Sequence, residues 1–188
     1  MIYNDLRLQE YFVLIYRILL AHIAYVFLRV LFVVFNNDIV QVYDLENFLF
    51  LSVLGLRFDS SAIAYSNLLF IFFSVLPLSF LRVKKHQFFS ALLYFTSNSI
   101  FLILNFIDFA YYRFNLNRMM GNFLESISKE NNKLKLIFHF LFQYLNLVLL
   151  FFLFLFIWIG LYKLIKVREE KIENNKIYYI SSIFGILI

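Results

Sequence analysis

Residues 136–164 read LIFHFLFQYLNLVLLFFLFLFIWIGLYKL, with one charged side chain, Lys163, near the end. A helix crosses the hydrocarbon core of a bilayer with about 20 apolar residues, and this block has length to spare. Lipid offers the backbone no hydrogen bonds, so a spanning segment is a helix or a strand of a closed barrel. Barrel strands alternate over about ten residues. This block is longer and apolar on every side, so it reads as a helix. Its Phe-Leu repeats and Trp158 give it the look of a plain lipid-facing span.

Three further blocks repeat the pattern, at about 11–35, 58–81 and 88–112. A fifth begins near 177 and stops at Ile188, after about a dozen residues, too few to cross. The expected architecture is all-α: a polytopic membrane helix bundle of four full transmembrane helices, a truncated fifth, and one or two interfacial helices. With no internal repeat and no Pro/Gly-rich linker, residues 1–188 read as one transmembrane domain.

Composition supports this. Hydrophobic residues make up 63% of the chain, well above the 45–50% of soluble domains, and the mean hydropathy is +0.79. The 27 Phe and 13 Tyr read as compositional bias rather than as an aromatic ligand box. With 4 Gly, few close small-xxx-small helix contacts are expected. There are no cysteines, which excludes disulfides, thiolate metal sites and cysteine nucleophiles. His22, His86 and His139 are too dispersed to suggest a metal site. The net charge of +5 is spread among loops, which points to membrane topology and not to nucleic acid.

The charges orient the bundle. Arg82-Val83-Lys84-Lys85, and the segment 163–176 with Lys163, Lys166, Arg168, Lys171 and Lys176, read as cytoplasmic by the positive-inside rule. The loop after block one carries Asp38, Asp44 and Glu46 and reads as outside. Alternation places the N-terminus in the cytoplasm of a cell (inner, cytoplasmic) membrane protein. The basic loop 113–135 would lie outside against the rule. Block one reads as an uncleaved anchor, because Asn36-Asn37-Asp38 follows it instead of a cleavage site.

Ionisable residues inside spans are functional suspects. Arg17 and Arg29 are expected to snorkel from block one. His22 shares a face with Arg29, seven residues on, and reads as a neutral histidine hydrogen-bonded between helices. Gly55-Leu56-Arg57-Phe58-Asp59 opens block two, with Asp59 as N-cap and Ser60 and Ser61 in the first turn. Block three ends Asn105-Phe106-Ile107-Asp108-Phe109-Ala110-Tyr111-Tyr112-Arg113. There Asn105, Asp108 and Tyr112 share a face, and Asp108 needs a partner: Arg57 first, then Arg113 or Arg118. Residues 117–132, with Met120, Phe123, Leu124 and Ile127 as an apolar stripe, read as an interfacial helix. Residues 45–56 read either as a second such helix or as an outward extension of block two. The polar groups thus gather at the outer end, and the empty midplane argues against a pore or transporter.

The two motifs carry a resemblance. Gly55-Leu56-Arg57-Phe58-Asp59 leading into Ser61-Ala62-Ile63-Ala64-Tyr65, closed by Leu76-Pro77, and then Asp108-Phe109-Ala110-Tyr111-Tyr112-Arg113-Phe114 with Arg118 after it, resemble the N-terminal membrane region of the lipoteichoic-acid-synthase-type phosphoglycerol transferases, a sulfatase-like bacterial family. The likeness covers the chain from about residue 11. It implies five membrane helices preceding an extracytoplasmic domain with a nucleophilic threonine and a divalent metal. No catalytic residue, cofactor or metal is therefore expected on this chain, which reads as a fragment. The expected function is the membrane anchor of such an enzyme, with Arg57, Asp59, Asp108, Tyr112, Arg113 and Arg118 offering a lipid-headgroup or domain-docking site. The alternative is a self-contained small membrane protein that binds lipid or partner helices without chemistry. Membrane lipids, and the sulfatase-like domain of the parent, are the expected partners.

Overall fold

The computed structural model describes residues 8–40, 45–76, 84–116, 138–139, 141–167, 178 and 180. Helix α1 spans Leu8–Phe35. It follows from an apolar run without Pro or Gly, and at 1.5 Å per residue is about 42 Å long. A single turn, α2 (Asn37–Val40), follows Asn36, whose side-chain amide donates to the Phe32 carbonyl at 3.1 Å. Helix α3 is Leu45–Ser66 and α4 is Leu68–Val75. Backbone hydrogen bonds run through the junction, from Asn67 to Ile63 and from Ile71 to Asn67, so α3 and α4 form one distorted helix. Leu76 (φ −52, ψ 133) ends it, because a residue preceding proline, here Pro77, is pushed into extended backbone. Helix α5 is Lys84–Asn115. It closes at Leu116 in the left-handed region, φ 54. Helix α6 is Leu145–Leu164.

Among the described residues every element is helical, and four helices are long and apolar enough to cross a membrane. The chain is a multi-pass membrane protein. Two boundaries differ from expectation. Block two starts at Leu45, so residues 45–56 extend it rather than form a separate interfacial helix. That stretch is mostly Leu and Phe with one charge, Glu46, and contains no proline to break the helix. Asp59 therefore lies mid-helix and is no N-cap. Block four runs as α6 only from Leu145, because Tyr144 (φ −110, ψ 37) interrupts the helix. The expected interfacial helix 117–132 lies outside the described residues, as does the fifth block apart from Tyr178 and Ile180.

Helix α1 is the hub and packs on all the other helices. Its buried positions Val13, Arg17, Leu20, Ala24, Leu28 and Phe32 recur every three or four residues, a stripe of the kind that lets helices pack side by side. Ala21 and Ala24, fully or almost fully buried, let neighbouring backbones approach, as small residues do in membrane bundles. Aromatic rings fill the wider gaps. Phe32 meets Tyr112 at 5.0 Å and Phe109 at 6.0 Å, and Phe106 meets Phe151 at 5.4 Å. The rest of each span faces outward: Phe58, Phe142 and Phe156 are each more than three-quarters exposed. Block four is not wholly lipid-facing, since Leu147, Trp158 and Tyr162 are buried against the bundle.

Candidate functional site

The end of the bundle that holds Phe35 carries the polar cluster. Ser52, Gly55 and Asp59 recur at helical spacing on the α3 face turned to α1. Arg29 reaches across from α1. Its guanidinium donates to the Ser52 carbonyl at 2.6 Å and to the Asp59 carboxylate at 2.5 Å. Between those two contacts it lies over Gly55, where a Cβ would collide with the guanidinium. The absence of a side chain at Gly55 lets the guanidinium lie this close to the α3 backbone. One helical face of α1 carries both residues: His22, seven residues before Arg29, contacts the Ser60 hydroxyl through Nε2 at 3.0 Å and the Ile18 carbonyl through Nδ1 at 2.9 Å. The expected shared face and interhelical histidine bond are present. The expected snorkelling of Arg29 is not, because Asp59 supplies a counter-charge inside the bundle.

The predicted site residues therefore part company. Asp59 belongs to Arg29. Arg57, two positions from Gly55 and so on another face of α3, is exposed. Arg57 is not the partner of Asp108, which is buried, 8% exposed, on α5 and makes a contact of its own. Arg113 is not that partner in an ion pair either: it bonds Asp38 at 2.5 Å and lies 5.4 Å over the Phe35 ring. Tyr112 serves packing against Phe32, and Asn105 bonds back to Phe101 on its own helix. Ser60 and Ser61 do the same to Leu56 and Arg57. Arg118 lies outside the described residues.

The midplane is not empty, contrary to the sequence reading. Asn67, at the α3–α4 junction, and Asn98, midway along α5, are fully buried. They exchange amide hydrogen bonds at 2.7 and 3.2 Å, and each also donates to a carbonyl one turn earlier on its own helix. A pair of amides satisfying each other this way removes the cost of carrying either one into lipid. The signal for it was the polar run Thr96-Ser97-Asn98-Ser99 in the middle of an apolar block.

Nor are the polar groups confined to one end. Arg17 is buried, 6% exposed, and stacks 4.1 Å over the Tyr162 ring. The Tyr94 hydroxyl donates to its carbonyl at 3.0 Å. Arg17 turns inward because α6 offers an aromatic face where a cation gains from the ring's electrons. This side chain too was expected to snorkel. Around it a small cavity is lined by polar residues from the helix ends at Leu8, Val75, Lys84 and Leu164. Among the described residues no cluster of His, Asp or Glu is arranged to hold a metal ion.

No family model, curated protein or solved structure matches the chain.

Proposed function

We propose that this chain is the membrane part of a phosphoglycerol-transferase-like, sulfatase-like enzyme of a bacterial cytoplasmic membrane. Its N-terminus lies in the cytoplasm, and the end bearing Arg57 faces out. There it anchors an extracytoplasmic catalytic domain and offers Arg57 to the headgroup of a lipid donor. The observation that carries this reading is the division of labour within Gly55-Leu56-Arg57-Phe58-Asp59. Gly55 and Asp59 are consumed by Arg29, while Arg57 is exposed on another face and is not the ion-pair partner of Asp59. A guanidinium has five donors in a fixed fork and pairs well with phosphate. In the intact parent protein, Arg57→Ala should lower transfer about tenfold or more, as loss of a charge-assisted bond does, at unchanged protein level. Unchanged turnover would refute the headgroup role.

One observation favours the second reading, a self-contained membrane protein without catalysis. The outer-end pair Arg29–Asp59 is partly buried within the bundle, and Arg113–Asp38, though exposed, also joins two parts of this chain, which is what a protein needs merely to fold. The size of the product in its host membrane separates the two readings. A band far above 22.7 kDa, with a sulfatase-like continuation of the reading frame, supports the anchor; a stable band near that mass supports the self-contained protein.

A further inference from the structure

Helix α3 is the least embedded of the four spanning helices. Between residues 46 and 62 none of its described side chains is buried. It packs chiefly on α1, whereas α4 is wedged between α1 and α5. What fastens α3 is polar, and all of it comes from one neighbour. Arg29 holds the Ser52 carbonyl and the Asp59 carboxylate, and His22 holds the Ser60 hydroxyl.

The two halves of this span meet at a defect. Asn67 has φ −97 and ψ 12, roughly 50° from the helical ψ of about −42°. The cause is local. Three donors converge on the Ile63 carbonyl: the Asn67 backbone N–H at 2.9 Å, the Asn67 side-chain amide at 3.1 Å and the Ser66 hydroxyl at 3.2 Å. Side chains that insert into the backbone ladder bend a helix. The defect itself is held firmly. Asn67 exchanges amide bonds with Asn98 on α5, and Ile63 and Phe70, one turn to either side of it, are fully buried.

We propose that α3 is a hinged arm that swings away from α1 about Asn67, with Arg29–Asp59 and His22–Ser60 as the clasps that close it and α4 as its fixed base. The uneven distribution of packing carries the inference. An element with few buried contacts opens at lower cost than the core beside it. A hinge needs only a few residues at an element's end to absorb the change in φ and ψ. Both conditions meet at Asn67. In lipid no hydrophobic force draws the arm back, since acyl chains are as apolar as the bundle, so the polar clasps set the closed position. Phe50, Phe58 and Tyr65 are already 62%, 77% and 81% exposed, and they face lipid whether the arm is closed or open. Arg57 lies ten residues, about 15 Å, out from the pivot and travels with the arm. The hinge goes beyond the reading of Arg57 given above and holds whatever Arg57 binds.

The test is a distance measurement by double electron–electron resonance on the full chain in lipid nanodiscs. The chain has no native cysteine, so spin labels go only where they are placed. One label sits at Leu149→Cys on α6. The other sits at Phe50→Cys on the arm or at Phe72→Cys on the base; all three positions are more than half exposed. Phe50 is 17 residues, about 25 Å, from the pivot, so a swing of about 20°, the size of a sharp helix kink, displaces it by about 9 Å. The 50/149 pair is expected to show a second, displaced distance whose population rises about tenfold in Asp59→Ala, while the 72/149 distance stays single. A single, unmoved 50/149 distance in Asp59→Ala would overturn the proposal. Equal spreading of the 72/149 distance would do so too, because it marks general loosening and no hinge. Should Asp59→Ala fail to fold, Ser60→Ala releases the other clasp, and an unmoved 50/149 distance there overturns the hinge as well.

Discussion

Replacing Asp59 by Ala leaves Arg29 inside the bundle with only the Ser52 carbonyl to bond. The cost can be bracketed. The side chains of Arg29 and Asp59 are 21% and 15% exposed, so this is no screened surface pair of the kind worth under 1 kcal/mol. Removing one partner of a buried pair costs about 3–5 kcal/mol, and an arginine at the centre of a spanning helix costs about 2.5–3.5 kcal/mol. Arg29 lies six residues, about 9 Å, from the end of α1, and part of that cost is recovered by snorkelling. We expect Asp59→Ala to destabilise the bundle by about 2–3 kcal/mol. Arg29→Met combined with Asp59→Leu should restore it to within about 1 kcal/mol of wild type, because two apolar groups need no compensation. Unfolding by SDS titration in mixed micelles, run as a double-mutant cycle, measures both. A cost below about 0.5 kcal/mol for Asp59→Ala would show that Arg29 is as well served by headgroups as by Asp59, and the pair would lose its place as the lock between α1 and α3.

The glycine beneath that pair makes a second expectation. Gly55→Ala gains up to about 1 kcal/mol of helix propensity, yet the new methyl lands on the Arg29 guanidinium. The flexible side chain can move away, but only by giving up the bonds to Ser52 and Asp59, so a net loss of about 1–2 kcal/mol is expected in the same titration, and it should vanish in an Arg29→Met background. At the midplane, Asn98→Leu leaves the Asn67 amide short of one partner. The loss should be about 1–2 kcal/mol, at the upper end for membrane interhelical hydrogen bonds, while Asn67→Leu with Asn98→Leu should cost less than the single change.

Much of the fold is legible in the sequence because lipid imposes a simple rule. Blocks one and three coincide with α1 and α5 to within about three or four residues, since a long apolar run without breakers has no alternative to a helix. Blocks two and four are less well placed. Apolar composition cannot tell a helix that crosses from one that extends beyond the core, as at 45–56, nor foresee the interruption at Tyr144 inside an equally apolar run. The polar residues are visible one by one, and their helical faces can be computed, as the shared face of His22 and Arg29 shows. Their partners cannot. Arg57 and Arg29 are both arginines near a carboxylate, and sequence proximity favours the wrong one.

Composition and order of residues suffice to make this chain a bundle of apolar helices with two conspicuous motifs, one at 55–59 and one at 108–113. Length and hydropathy are local properties, and a backbone in lipid has few options. Which polar groups meet is settled by packing: Arg29 with Asp59 across Gly55, Arg113 with Asp38, Asn67 with Asn98, and Arg17 against Tyr162 beside a polar cavity. Each of these contacts joins residues at least 30 positions apart. They depend on how the helices rotate and slide against each other, which the local pattern of any one helix leaves open.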